Sequence, residues 1–287
     1  MSAPNLKRLL ANSRLKPGHS VFEFNSPGLG QIIAAAGVDF IFLDMEHPGF
    51  GIADAKRTIP SFRAGNIPFM VRPPSNAYHH IARVMDVGAD GLVMPMVGSG
   101  EEAAYIVSCM KYPSMGQRGV ALNIAHDRYT LGDTAKSLAA ANRRTGLAVL
   151  IETEDGIRNI DAIAATKGVD CPWIGHFDLS CSLGIPGQFD HPDFKKASSR
   201  VKRAARKHDR RWAASQAHWK RPPHSIARAT PCCVAQAMFG STKKRLSRAF
   251  PQSERSAKVD PGPQPRLENQ FGARNFLVER KHTVRSP

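Results

Sequence analysis

Over its first 200 residues the chain alternates short, nearly uninterrupted apolar runs with longer stretches whose apolar residues recur every three to four positions. The runs VDFIFLD, GLVMP and LAVLIE lack polar alternation, as expected of strands buried on both faces of a parallel sheet. Candidate strands are Val21–Phe24, Asp39–Asp44, Pro68–Arg72, Gly91–Pro95, Ala148–Glu152 and Trp173–His176. Helical periodicity falls between them at Leu29–Ala36, Ile52–Ala64, Tyr78–Val87, Glu101–Lys111 and Gly156–Ala165, and again over Asp193–His208. This β-α-β-α rhythm predicts an α/β fold. Six such units by residue 200 are more than half of a (β/α)₈ TIM barrel, which needs about 250 residues. The competing doubly wound sheet usually opens with a glycine-rich phosphate loop. Here the first turn reads FNSPGLGQ, so the barrel is the expected architecture.

Composition removes several other classes. No apolar run approaches the roughly 18 residues of a transmembrane helix, and the N-terminus lacks the apolar core of a secretory signal. The five cysteines include no C-x-x-C pair, which argues against a disulfide framework or zinc ribbon and for a reducing cytoplasm. A membrane is not an expected partner.

In a barrel of this kind, chemistry collects at the C-terminal ends of the strands. Those ends carry Asp44-Met45-Glu46-His47, then Arg72, Glu152 and Asp178. A single acid at such a position is commonplace, because Asp often caps the next helix. The combination of carboxylates, an imidazole and a guanidinium above apolar strands is more specific. Glu152 and Asp178, from neighbouring strands, would hold a hard divalent cation such as Mg²⁺, or Mn²⁺ or Co²⁺, with positions left open to a bidentate 2-oxo acid. Arg72 would set positive charge against a developing enolate oxygen, and His47 would carry a proton near neutral pH. The chemistry expected is proton transfer or C–C cleavage through a metal-stabilised enolate.

The segments FIFLDMEHPGFG, VRPPSNAYHHIARVMDVGADGLVMPMV, KYPSMGQRGVA, LIETEDGIRNIDAIA and WIGHFDLSCSLGIPGQFDHP occur in that order. Together they resemble the HpcH/HpaI aldolase family of metal-dependent pyruvate aldolases, over residues 5 to 208. The resemblance implies that Glu152 and Asp178 bind the metal, Arg72 stabilises the enolate, and His47 is the general base paired with Asp86. It also implies that Gly175, His176 and Phe177 present backbone N–H groups to the pyruvate carboxylate, so that Gly175, Phe177 and Asp178 bind substrate. The implied substrates are 4-hydroxy-2-oxo acids cleaved to pyruvate and an aldehyde, and the implied assembly is a homo-oligomer, commonly a hexamer. A related lyase acting on another enolate-forming acid or CoA ester is the alternative. Two departures stand out. Leu150 replaces a glutamine found in many members, and His176-Phe177 makes the turn before Asp178 bulkier. Arg118 would contact substrate or a neighbouring subunit, or lie solvated in its glycine-flanked turn. His79 and His80 are expected to be exposed.

After residue 208 the pattern stops, and no convincing buried strand follows. Residues 1–200 hold 20 basic and 19 acidic side chains, whereas residues 201–287 hold 20 basic and 5 acidic. Val, Ile, Leu and Phe make up 13 of those last 87 residues, which also contain eight prolines. So low an apolar content with so much charge marks a segment unable to fold alone. Residues 209–287 therefore read as an aberrant tail behind an incomplete barrel of six units. Its basic clusters could bind nucleic acid, or it could be a solvated extension without function. The excess of Arg, Pro, Ser, Ala, His and Cys over Asp and Glu favours a third reading, a change of reading frame near residue 208 that leaves the barrel truncated and its activity in question. Nucleic acid is then not the expected partner. This reading predicts that a single-base insertion or deletion restores the last two βα units of the family. Nucleotide sequencing across codons 200–220 checks it, and a locus in which no such change restores them overturns it.

Overall fold

The computed structural model describes residues 5–11, 16–215 and 236–240, the last of these as backbone only. The chain begins with α1 (Leu6–Ala11) and β1 (Lys16–Val21), followed by α2 (Leu29–Ala35), β2 (Phe40–Asp44) and α3 (Ile52–Ala64). Next come β3 (Phe69–Arg72), α4 (Tyr78–Asp86), β4 (Gly91–Met94) and α5 (Gly100–Met110). A 3₁₀ turn at Ala125–Asp127 and α6 (Thr134–Arg144) lead into β5 (Gly146–Ile151). Then follow α7 (Glu154–Arg158), α8 (Ile160–Ala165), β6 (Cys171–Ile174), α9 (His176–Ser182), α10 (Pro192–Lys207), β7 (Trp212–Ser215) and β8 (Gln236–Gly240).

Strands β1 to β7 pair in parallel in chain order, and the ring is closed by β8, antiparallel to both β7 and β1. The fold is an α/β barrel whose parallel repeat is incomplete: among the described residues no eighth parallel strand follows β7. The expected six βα units are present, and β7 is an addition to them. This corrects the expectation that no strand lies beyond residue 208. The strand is only WAAS, within a basic run, and its apolar character rests on Trp212 and two alanines. Ala213 faces the barrel interior, while Trp212 and Ala214 join the layer under the helices. The rest of the tail, residues 216–235 and 241–287, lies outside the described residues, and so do the readings made of it.

Three boundaries differ from expectation. The first strand ends at Val21, where Val21–Phe24 was expected, because β1 is chosen by register on β2 (Gly18 opposite Phe40) and not by its own apolarity. Phe40's ring occupies the space a side chain at position 18 would need. The expected helix Gly156–Ala165 is broken at Asn159 into α7 and α8. His176 opens α9 instead of ending β6.

Period-two alternation sorts the core into two clusters. Phe40, Phe42, Met70, Val93, Ala148, Leu150, Cys171 and Trp173 point into the barrel, where Leu6 and Leu10 of α1 join them. Ile41, Leu43, Phe69, Val71, Leu92, Leu147, Val149 and Ile174 face outward against the helices. Two glycines bring α2 and α3 together. Gly30 donates its N–H to Ser61 Oγ at 2.7 Å, and a Cβ on Gly30 would sit 2.0 Å from the Ser61 carbonyl oxygen. Gly30→Ala must push these helices apart and is expected to cost about 1–3 kcal/mol, the usual range for overpacking. Urea unfolding monitored by circular dichroism checks this, and an unchanged midpoint would contradict the close contact.

Candidate active site

The same alternation that fills the barrel decides which residues stand at its mouth. Continuing each inward file by two positions takes Phe42 to Asp44, Met70 to Arg72, Leu150 to Glu152 and Trp173 to Gly175. Apolar side chains thus fill the interior, and the next inward position on each strand is polar or open. These ends meet at a cavity of about 280 Å³ lined by His47, Arg72, Glu152, Gly175, Phe177 and Asp178, with Leu150, Phe42 and Trp173 below and Ser20, Phe22, His176 and Ser215 around them. Every residue expected at the site lies on this cavity except Asp86.

Arg72 is fixed at its centre. Its Nε and Nη2 donate to the two carboxylate oxygens of Asp44, each at 2.7 Å, and Nη1 lies 2.7 Å from Glu46 Oε2. Burial works against the Arg72 charge, but the Asp44 hydrogen bonds and the charges of Asp44, Glu46 and Glu152 outweigh it, so its pKa is raised further. Such a two-point clamp fixes the plane of the guanidinium and leaves its remaining N–H bonds for a ligand. Glu46 also reaches His47, whose Nε2 is 3.8 Å from Glu46 Oε2. His47 itself is largely exposed, at the rim. Asp44 and Glu46 were visible in the sequence as a strand-end cluster, but only the geometry distinguishes them as the groups that orient Arg72 and His47.

Glu152 is buried and accepts a 2.8 Å hydrogen bond from the Met96 N–H through Oε2. Gly175 stands against its other oxygen: a Cβ there would lie 2.3 Å from Glu152 Oε1. Burial, followed by the negative charge of Asp178, lifts the Glu152 pKa to about 7, against the opposing effects of the Met96 hydrogen bond and Arg72. Asp178 is exposed, in the first turn of α9. The described residues contain no group of three or more His, Cys, Asp or Glu side chains placed to hold a metal. Two carboxylates on one cavity fit an ion that keeps most of its coordination for water and substrate. The buried oxygen beside Gly175 and the repulsion between Glu152 and Asp178 are what a cation there would relieve.

Asp86 is placed elsewhere. Its carboxylate is gripped by Arg118, through the Nη2 nitrogen and through Nε at 3.2 Å, while the ion pair made by His47 is with Glu46. The expected His47–Asp86 pair is therefore not formed within this chain. Asp86 sits at the C-terminal end of α4, where the buried Arg118 finds it and stacks over the Tyr112 ring at 4.5 Å. Arg118 is accordingly not the solvated arginine that its turn suggested. His79 is exposed and His80 half-buried, with His80 Nδ1 2.8 Å from Ser75 Oγ.

A family model, HpcH/HpaI aldolase/citrate lyase, matches residues 22–213. The chain belongs to this family. It is 34% identical over 184 residues to the 5-keto-4-deoxy-D-glucarate aldolase of Shigella boydii serotype 18, covering 64% of this chain and 71% of that protein. Its fold is similar to the HpcH/HpaI aldolase of Desulfitobacterium hafniense DCB-2, with a TM-score of 0.69, 30% identity, and coverage of 73% of this chain and 81% of the other. It is also similar to the citrate synthase SbnG, with a TM-score of 0.65, 27% identity, and coverage of 78% and 85%. The family and its aldolase relatives make this a protein of the carbon–carbon lyase type. Among the described residues, no helix is long and apolar enough to cross a membrane.

The Glu152 environment has a measurable consequence. Its folded pKa, about 7, lies above its ordinary value of 4.5, so the fold favours the protonated form. The stabilisation is complete below the unfolded value and is lost as pH rises through about 7, up to an order of 3 kcal/mol. Metal-free protein is therefore expected to lose stability from pH 4.5 to 7 through this group. Glu152→Gln should flatten that slope and stabilise the metal-free protein at pH 8 by about 1–3 kcal/mol. Urea titrations of both proteins across this range check it, and parallel slopes would show that Glu152 is not the group responsible.

Proposed function

We propose that the protein is a divalent-metal-dependent aldolase that cleaves a 4-hydroxy-2-oxo acid to pyruvate and an aldehyde and catalyses the reverse addition. The observation that carries this reading is the placing of two like-charged carboxylates, Glu152 and Asp178, on one cavity with a rigidly clamped guanidinium and a rim imidazole. Mg²⁺, Mn²⁺ or Co²⁺ held by the two carboxylates would supply Lewis-acid stabilisation to the substrate's keto oxygen.

The chain's own groups carry out the remaining work. Backbone N–H groups in the turn Gly175–Phe177 receive the substrate carboxylate. His47 accepts the C4 hydroxyl proton, the C3–C4 bond breaks, and its electron pair passes into the enolate of pyruvate as the aldehyde leaves. Arg72 places fixed positive charge beside the enolate oxygen. The enolate carbon then takes a proton back from His47, giving pyruvate. Exposure of His47 at the rim suits a group that exchanges protons with substrate and solvent in turn. The likeness to aldolases and to a citrate synthase supports C–C bond chemistry at an enolate. A homo-oligomer in the cytoplasm, hexameric as the resemblance implies, belongs to the same proposal.

Pyruvate release coupled to lactate dehydrogenase tests the reading, with and without EDTA. Activity should vanish with chelation and return on adding Mg²⁺ or Mn²⁺. Glu152→Ala and Asp178→Ala should each abolish it, and His47→Ala should reduce it by about 10²–10⁴-fold, the usual worth of a general base. Activity that survives chelation would overturn the metal's role.

A further inference from the structure

The walls of the cavity that do not bear on the 2-oxo acid carry information about the second product. Resting on the aldolase reading above, we propose that the aldehyde partner is neutral and apolar, aryl-substituted by preference, and that Phe177 selects it. Two independent observations support this.

The first is the allotment of charge. Among the described residues lining the cavity, the permanent cation is Arg72, and its guanidinium is already committed to Asp44 and Glu46. The other ionisable lining groups are His47, Glu152 and Asp178. A second carboxylate on the aldehyde half would meet these acids without a cation of its own, at a cost that a partly enclosed site does not screen away. The relatives named for 5-keto-4-deoxy-D-glucarate act on a hydroxylated diacid. The lining described here gives such a diacid's far end little to bind.

The second observation is the aromatic rim. Phe177 stays 61% exposed although it is braced from behind. Its ring lies 4.2 Å from that of His176 and 5.5 Å, edge-on, from Phe189. Phe189 in turn packs at 5.6 Å on the buried Phe194. The ring is thus held in place with its outer surface presented to the cavity mouth. Below it, Phe42 and Trp173 pack at 5.6 Å and Phe22 meets Phe42 edge-on at 6.4 Å, with Leu150 beside them. Covering a fixed, exposed aromatic surface with an aryl group gains hydrophobic and ring–ring stabilisation with little ordering cost. A charged or polyhydroxylated group gains neither.

The test uses the full chain with Mg²⁺ and has three parts. The first is exchange of the pyruvate methyl protons in D₂O, which reports enolate formation without any aldehyde. The second is binding, by calorimetry, of 4-phenyl-2-oxobutyrate against 2-oxoglutarate, two non-cleavable acids that differ only in phenyl or carboxylate at C4. The third is the ratio of kcat/KM for pyruvate addition to benzaldehyde and to succinic semialdehyde, in wild type and Phe177→Ala. The phenyl acid should bind more tightly by about tenfold or more, and the benzaldehyde ratio should exceed one and fall about tenfold in Phe177→Ala, the scale of discrimination by an apolar pocket. Because it is a ratio, a general loss of activity in the variant cancels. Exchange with equal or tighter binding of 2-oxoglutarate, or with a ratio unmoved by Phe177→Ala, overturns the proposal and leaves the aldolase reading standing. Absence of exchange overturns the aldolase reading and the proposal with it.

Discussion

The alternation of side chains along parallel strands is the constraint on which the rest depends. Each strand of the barrel buries both faces, so its inward and outward files must both be apolar for as long as the strand lasts. Where the strand ends, the inward file is released from that demand but still points at the barrel axis. Asp44, Arg72 and Glu152 occupy those released positions. Their convergence is therefore a consequence of register: Asp44 lies opposite Arg72 across the β2–β3 pair, and Ile151 opposite Ile174 across β5–β6, which sets Glu152 beside Gly175. A one-residue slip in any of these pairings would send the polar residue into the helix layer and a core residue into the site.

The charges so assembled do not balance within the chain. Asp44, Glu46, Glu152 and Asp178 lie in or beside one cavity, against one permanent cation, Arg72. The structure handles this excess unevenly. Asp44 and Glu46 share the guanidinium, in the best geometry a carboxylate can find. Glu152 is left with a single backbone hydrogen bond and a raised pKa, and Asp178 is left in solvent at the rim. A site poised in this way, with one carboxylate held back from ionising by burial and a like charge, is what a titrating ligand or proton can switch. The same imbalance argues against an anionic aldehyde, so cofactor and co-substrate preferences share one electrostatic origin.

Much of this was legible before any coordinates. The parallel barrel followed from VDFIFLD, GLVMP and LAVLIE, and the strand-end residues His47, Arg72, Glu152 and Asp178 followed from the fold. What escaped the sequence did so for definite reasons. β1 carries lysine, proline, glycine and histidine, and it is a strand only because β2 offers it a partner and Phe40 fills the gap at Gly18. β7 is built from alanines that periodicity cannot distinguish from loop. The Asp86–Arg118 pair joins α4 to a turn 32 positions further on, a separation at which pattern carries no information. Asp86 was matched to His47 by resemblance, and the structure matches it to a guanidinium that is nearly inaccessible to solvent.

The incomplete repeat bears on the site through rigidity. The preorganisation that fixes Arg72 against Asp44 depends on β2 and β3, which are paired on both sides by parallel strands. Glu152 and Gly175 depend on β5 and β6, likewise flanked, with β7 covering the far edge of β6. Every strand that positions a proposed catalytic group is therefore interior to the seven-strand parallel run. What lies beyond β7 closes the ring with the opposite strand direction, so there the regular supply of a βα loop to the cavity mouth ceases. Loss of the regular eighth unit then removes a wall of the cavity before it removes any of the groups proposed to act in it.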